Sequence, residues 1–278
     1  MSNAESPLLI GRIPFLVCAP FFHASLEGFE GAGFTDGSPR KLNALLSAGA
    51  IDCAPSSSLE YARHADQYLL LPGLCTSGRG EVKSVLLFSQ VPWEQLDGKS
   101  VLLSEQSDTS NALFQVLSLF RFRIRPLPEQ QSSGPGSVVH AQVAIGDEAL
   151  RESHAGRWPY KYDLAEVWNL WQGSPLPFGL WILRAEAWKT KREGVKRFFQ
   201  HLQSSLKTFS AAPEAALRAW SGHYPLPMPM QEALAFFPTT DYSLGQGQER
   251  SLRIFFGLCR DAGLLPPGIE IPLNFAGL

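Results

Sequence analysis

Charge is scarce in this sequence. Asp, Glu, Lys and Arg supply 18% of its 278 residues, against ~25% in ordinary soluble domains. The signs nearly balance, 24 basic against 26 acidic, for a net charge of −2. A nucleic-acid or anionic-membrane binder needs a basic excess that is missing here, so neither partner is expected. Long apolar runs are missing too, and none approaches the ~20 residues that span a bilayer. The four cysteines, Cys18, Cys53, Cys75 and Cys259, form no CxxC pair, and buried free thiols are expected. The six histidines make no HExxH or other close pair, so no metal is expected. Nucleotide motifs are incomplete. Gly98-Lys99-Ser100 ends like a phosphate-binding loop, but Trp93 stands where its first glycine belongs. Gly31-Ala32-Gly33 lacks the third glycine of a dinucleotide fingerprint, and no GxSxG occurs. Five basic residues fall within 189–197, on a segment with a clear apolar face, and read as a solvated helix surface.

What is present is apolar bulk and an alternating pattern. Hydrophobic residues reach 45% and aromatics 11%, enough for a sizeable core. Residues 9–17 read as a strand and the glycine-rich 28–37 as a loop. Ser38-Pro39 then gives a helix cap with proline in the first turn. Short strands follow at 50–55 and 68–71, with a helix between them opened by the capping box Ser57-x-x-Glu60. Strands are expected at 83–91, 100–103, 141–145 and 180–184. Residues 130–137 form a Ser/Gly/Pro loop, and the last third is helical. Strand–helix alternation predicts an α/β fold with largely parallel sheets. The strand-rich runs at 83–92 and 175–184 suit crossings between two lobes. The expected division is 1–91 for the first lobe, 92–180 for the second, and 181–278 returning to the first. A cleft between such lobes is a natural small-molecule site. The interrupted apolar stretch 8–22 has Arg12, Pro14 and Pro20 within it, so it reads as a strand rather than an export signal. A cytoplasmic location is expected.

The informative chemistry is hydroxyl residues at two helix starts, Ser56-Ser57-Ser58 and Ser107-Asp108-Thr109-Ser110. Helix N-termini offer free N–H groups and partial positive charge, which suits carboxylates. Each start is also an ordinary cap when taken alone. Asp147, in Ile-Gly-Asp, is either a cap or a ligand-orienting carboxylate.

Several segments, in order, resemble one family. Gly11-Arg12-Ile13-Pro14-Phe15-Leu16, Leu42-Asn43-Ala44-Leu45-Leu46, Ser57-Ser58-Leu59-Glu60-Tyr61-Ala62 and Val82-Lys83-Ser84-Val85-Leu86-Leu87 are similar to chorismate dehydratases of the futalosine route to menaquinone. So are Ile145-Gly146-Asp147, Asp163-Leu164 with Trp168, and Tyr242-Ser243-Leu244-Gly245. The resemblance implies a two-lobed fold like type II periplasmic binding proteins. It implies a lyase taking the dicarboxylate chorismate to 3-[(1-carboxyvinyl)oxy]benzoate, with no cofactor. It implies Ser84 at the reacting ring or leaving hydroxyl, and Ser57, Ser58, Ser107, Thr109 and Ser110 as carboxylate binders, with Asp147 beside them. Where the family's first strand ends in Tyr-Leu-Asn, this chain has Phe15-Leu16-Val17, so Val17 occupies the cleft position of a polar residue. Two readings therefore stand. One is the lyase; the other is a non-catalytic or altered-specificity binder of a small cyclic carboxylate.

Overall fold

A computed structural model describes residues 6–130, 139–268 and 270–278. The loop read at 130–137 lies almost wholly outside them, as do residues 1–5. Among the described residues the strands are β1 (Leu8–Arg12), β2 (Ala32–Asp36), β3 (Cys53–Ser57), β4 (Tyr68–Gly78), β5 (Val85–Ser89), β6 (Ser100–Leu102), β7 (Leu127–Glu129), β8 (Ala141–Ile145), β9 (Tyr160–Asp163), β10 (Gly179–Arg184) and β11 (Thr240–Ser243). They form two sheets. One runs β11-β4-β10-β3-β1-β2 and the other β7-β6-β8-β5-β9. Helices cover both sheets, so the fold is α/β in two lobes.

The division of the chain differs from the expected one at both crossings. β5 lies in the second sheet, so the first crossing precedes Val85 rather than following residue 91. β10 lies in the first sheet from Gly179, so the return precedes residue 180. The sheets are also mixed rather than largely parallel. β1 pairs in parallel with β2 and β3, but β10 is antiparallel to both β3 and β4. β5 is likewise antiparallel to β8 and β9. Each strand that receives the chain from the other lobe enters its sheet from the opposite end, which reverses its direction.

Local signals explain most element ends. The Ser38 hydroxyl accepts from the Lys41 N–H at 3.4 Å, Pro39 occupies the first turn, and Gly49 ends the segment at φ +73°. Gly11 lets β1 approach its neighbours, since a Cβ there would meet Ala54, Ile51 and Leu42 at 2.8–2.9 Å. β1 is shorter than expected. Pro14 cannot donate to a ladder, and Leu16–Cys18 instead forms a 3₁₀ turn. Val17 therefore sits on a turn, not at a strand end. The expected loop at 28–37 contains β2, whose ladder to β1 outweighs the poor strand propensity of its glycine.

The apolar core is dominated by buried aromatics, among them Phe21, Phe22, Trp181 and Phe198. All four thiols are free and buried. Among the described residues no helix is long and apolar enough to cross a membrane. None of their His, Cys, Asp and Glu side chains groups in threes to hold a metal.

Candidate functional site

A cavity of ≈ 80 Å³ lies between the lobes. The first lobe contributes Phe15, Val17 and Cys18 from the turn, Ser56 and Ser57 from β3, Thr76 from β4, and Phe178 before β10. The second contributes Ser107 and Ser110 from the Asp108–Val116 helix, with Ile145 and Gly146 at the end of β8. Val82 and Ser84 line it where the chain crosses. Among the described lining residues none carries an ionised group at neutral pH. Cys18 is the nearest to one, and burial, then the Asp147 charge, push its thiol far up, so it stays protonated.

Three of the lining serines, Ser57, Ser84 and Ser110, have a hydroxyl proton to spare, whereas Ser56 and Ser107 donate to Asn43 and Ser110. Ser57 Oγ accepts from Asn43 Nδ2 at 3.0 Å and from the Glu60 N–H at 3.2 Å, leaving its own proton to donate. Ser107 accepts from the Ser110 N–H at 3.2 Å and donates to Ser110 Oγ at 3.0 Å, which frees the Ser110 proton. Ser84 is 4% exposed, and its hydroxyl has no hydrogen bond among the described residues. The residue is buried but its oxygen is not among the sealed, unsatisfied ones, so the hydroxyl opens onto the cavity and is free to meet a ligand there.

Of the residues expected at the site, Val17, Ser57, Ser84, Ser107 and Ser110 converge on this cavity. Ser58, Thr109 and Asp147 do not line it. The Ser58 hydroxyl donates to the Pro177 carbonyl at 2.5 Å, fixing the return crossing. Thr109 Oγ1 accepts from the Leu59 N–H at 3.1 Å, tying the two helix starts together. Asp147 Oδ1 accepts from the Leu16 N–H at 2.9 Å. At the Ser58–Arg63 helix start the Ser57 hydroxyl lines the cavity, but the backbone amides are not free to bind a carboxylate. They are already taken, Ser58 N–H by the Phe178 carbonyl at 3.1 Å, Leu59 by Thr109, and Glu60 by Ser57. The other start remains open. Ser107 caps it, and the Asp108 and Thr109 amides have no acceptor among the described residues. The Asp108 carboxylate turns away to Arg63 at 2.9 Å, so it does not oppose an anion there.

Three positioning residues escape sequence reasoning as site residues. Asn43 is buried and holds both β3 serines, accepting from the Ser56 hydroxyl and the Ser57 N–H while donating to Ser57 Oγ. Its signal was a polar residue among the buried leucines of an amphipathic helix. Asn43→Ala should cost about 1–3 kcal/mol in chemical denaturation, because the serine groups it satisfies lose their partner. Asp163 caps the Leu164–Gln172 helix with Oδ1 and takes the Val82 and Lys83 amides at 2.8 and 2.6 Å with Oδ2. That grip holds Lys83 at φ +59° and aims the next residue, Ser84, into the cavity. Gly146 is the third, at φ +57° with the Phe15 ring on its open face; a Cβ would lie 2.6 Å from Phe15 Cδ2.

Burial pushes the Asp147 carboxyl up from its ordinary 3.8 to about 6, against the opposing pull of the Leu16 N–H and Arg151. The folded state thus binds this proton more tightly than the unfolded chain does. Its contribution to stability falls as pH rises from 3.8 to about 6. Asp147→Asn removes the penalty and keeps an acceptor. In melts across pH, it should match the wild type near pH ~4 and melt a few degrees higher above pH ~6.

Comparison with known proteins decides the family. A family description, menaquinone biosynthesis, matches residues 8–261. The chain belongs to the menaquinone biosynthesis family. This is the family to which the sequence resemblance pointed. Solved structures place its fold. Protein AF1704 from Archaeoglobus fulgidus superposes with a TM-score of 0.71 at 17% identity, covering 95% of this chain and 100% of that one. The Candida albicans CA3427 gene product, described as having the generic periplasmic binding protein fold, gives 0.70 at 11% identity, with 98% of each chain covered. The periplasmic aliphatic sulphonate binding protein SsuA from Escherichia coli gives 0.67 at 13%, over 98% of this chain and 97% of that one. The fold of this family member is the two-lobed periplasmic-binding-protein fold, and its cavity lies between the lobes.

Proposed function

We propose that the chain is a cofactor-independent carbon–oxygen lyase that dehydrates chorismate to 3-[(1-carboxyvinyl)oxy]benzoate within menaquinone biosynthesis. The observation that carries this reading is the free Ser84 hydroxyl facing a cleft of uncharged donors, in a chain of this family. In the reaction the C4–O bond breaks and the C3 proton leaves. The C3–H electron pair enters the ring, which becomes aromatic, and the hydroxyl departs with a proton as water. Aromatisation supplies the driving force, so the protein's task is positioning and support of the leaving group.

Ser84 donates to the departing oxygen. One carboxylate docks at the Asp108–Val116 helix start, on the Ser110 hydroxyl that lines the cavity. Ser57 donates to the other. Among the described residues no lining side chain is a carboxylate or imidazole, so the C3 proton is assigned to a substrate carboxylate or a water. The proposed setting is cytoplasmic, with the small dicarboxylate as partner and neither nucleic acid nor membrane. Thermal melting with chorismate tests the reading. A rise of a few degrees at saturating ligand is expected. No shift, in the wild type and in Val17→Asn alike, would remove chorismate as the ligand.

The Val17 side chain in the cavity wall favours one second reading, a binder or enzyme for a different cyclic carboxylate with an apolar face at that point. A melting shift without product formation would favour it.

A further inference from the structure

Asp147 follows the cavity-lining Gly146 but does not line the cavity itself. It lies in the first turn of the Gly146–Ala155 helix, where Ile145 is the N-cap residue and no side chain caps the turn. Its Oδ1 instead crosses the cleft to the Leu16 N–H. Leu16 opens the 3₁₀ turn Leu16–Cys18, and Phe15 before it has no capping side chain. Asp147 thus supplies, from the second lobe, the acceptor that this turn lacks in the first.

Two further contacts complete the arrangement. The Val17 carbonyl accepts from the Tyr242 hydroxyl at 2.8 Å. The Gly146 N–H donates to the Ser84 carbonyl at 2.8 Å, while the Phe15 ring covers Gly146. Val17 and Ser84 come from distant parts of the chain. The Gly146-Asp147 dipeptide touches the backbone at Ser84 and, through Leu16, the backbone beside Val17.

We infer that Asp147 is a positioning residue, which through the Leu16 amide sets the Val17 turn against Ser84 across the cleft. The inference rests on the reading of this cavity as the reacting site. It asks the side chain only to accept a hydrogen bond, not to carry charge or move a proton. The titratable groups facing it are Arg151 on its own helix and the protonated Cys18 thiol across the cleft.

Asp147→Ala and Asp147→Asn separate this role from proton transfer. Steady-state kinetics with chorismate and amide hydrogen exchange at Leu16 read them out. In the alanine variant kcat should fall about tenfold with KM less affected, since small misplacements at a reacting centre are costly. Leu16 exchange should quicken in the same variant. In the asparagine variant, whose side-chain carbonyl still accepts, both should return towards the wild type. Two outcomes would overturn the inference. One is an alanine variant with unchanged kcat and unchanged Leu16 protection. The other is an asparagine variant as inactive as alanine while Leu16 stays protected, which would assign Asp147 to proton transfer. If the wild type leaves chorismate intact, the proposed function fails separately. Leu16 exchange then decides alone: quickened by alanine and restored by asparagine supports the contact, and equal rates in all three proteins contradict it.

Discussion

Val17→Asn is expected to raise kcat/KM for chorismate dehydration by ~10², the size of effect measured when a single aimed donor is removed from an active site. The turn that carries residue 17 is fixed independently of its side chain. Asp147 holds the Leu16 amide and Tyr242 holds the Val17 carbonyl, so an asparagine there inherits a defined direction into the cavity. Valine offers the substrate only hydrocarbon, whereas the asparagine amide can donate to charge developing on the departing oxygen. Burying the amide costs up to about 1–3 kcal/mol where it stays unpaired, so the gain should come with a lower melting temperature in the ligand-free protein. Steady-state kinetics on both proteins check this. Equal kcat/KM would mean that the site has been rebuilt around a ligand whose apolar face meets Val17.

The converse effect is expected at Ser84. Ser84→Ala should lower kcat by ~10²–10³ while leaving stability unchanged or slightly higher. The reason is its lack of a partner: the hydroxyl opens onto the cavity and makes no hydrogen bond among the described residues, so deleting it breaks no native contact. Ser57→Ala is the control. Ser57 caps a helix by accepting from the Glu60 N–H, and losing that cap should cost ~1 kcal/mol. Kinetics paired with chemical denaturation distinguish the two serines. A Ser84→Ala protein that is destabilised but fully active would place Ser84 among structural residues.

What could be read from the sequence follows the range of the interaction involved. Ser38, Ser57 and Ser107 announce helix starts through contacts three residues away, and all three are caps. Local signals left Asp147 and the two helix starts open between cap and ligand contact, and it was the resemblance that implied ligand roles for Ser58, Thr109 and Asp147. Their partners are Pro177, Leu59 and Leu16, between 50 and 131 residues distant in the chain. Nothing nearby in sequence shows that a distant backbone carbonyl has claimed Ser58, or that distant amides have claimed Thr109 and Asp147. Asn43 and Asp163 were hidden for the same reason, because their importance lies in the serines and amides they hold. β2 was hidden by its glycine, since a parallel ladder to β1 is a tertiary fact. The direction of β10 and β5 depended on where the chain crosses, which composition does not encode.

The most direct measurement incubates the purified wild-type chain with chorismate, without added metal or nucleotide, beside a protein-free control for spontaneous decay. Products are followed by chromatography with mass detection. Protein-dependent formation of 3-[(1-carboxyvinyl)oxy]benzoate, lighter than chorismate by one water, is the predicted result. Chorismate that remains intact beyond the control rate would contradict the lyase.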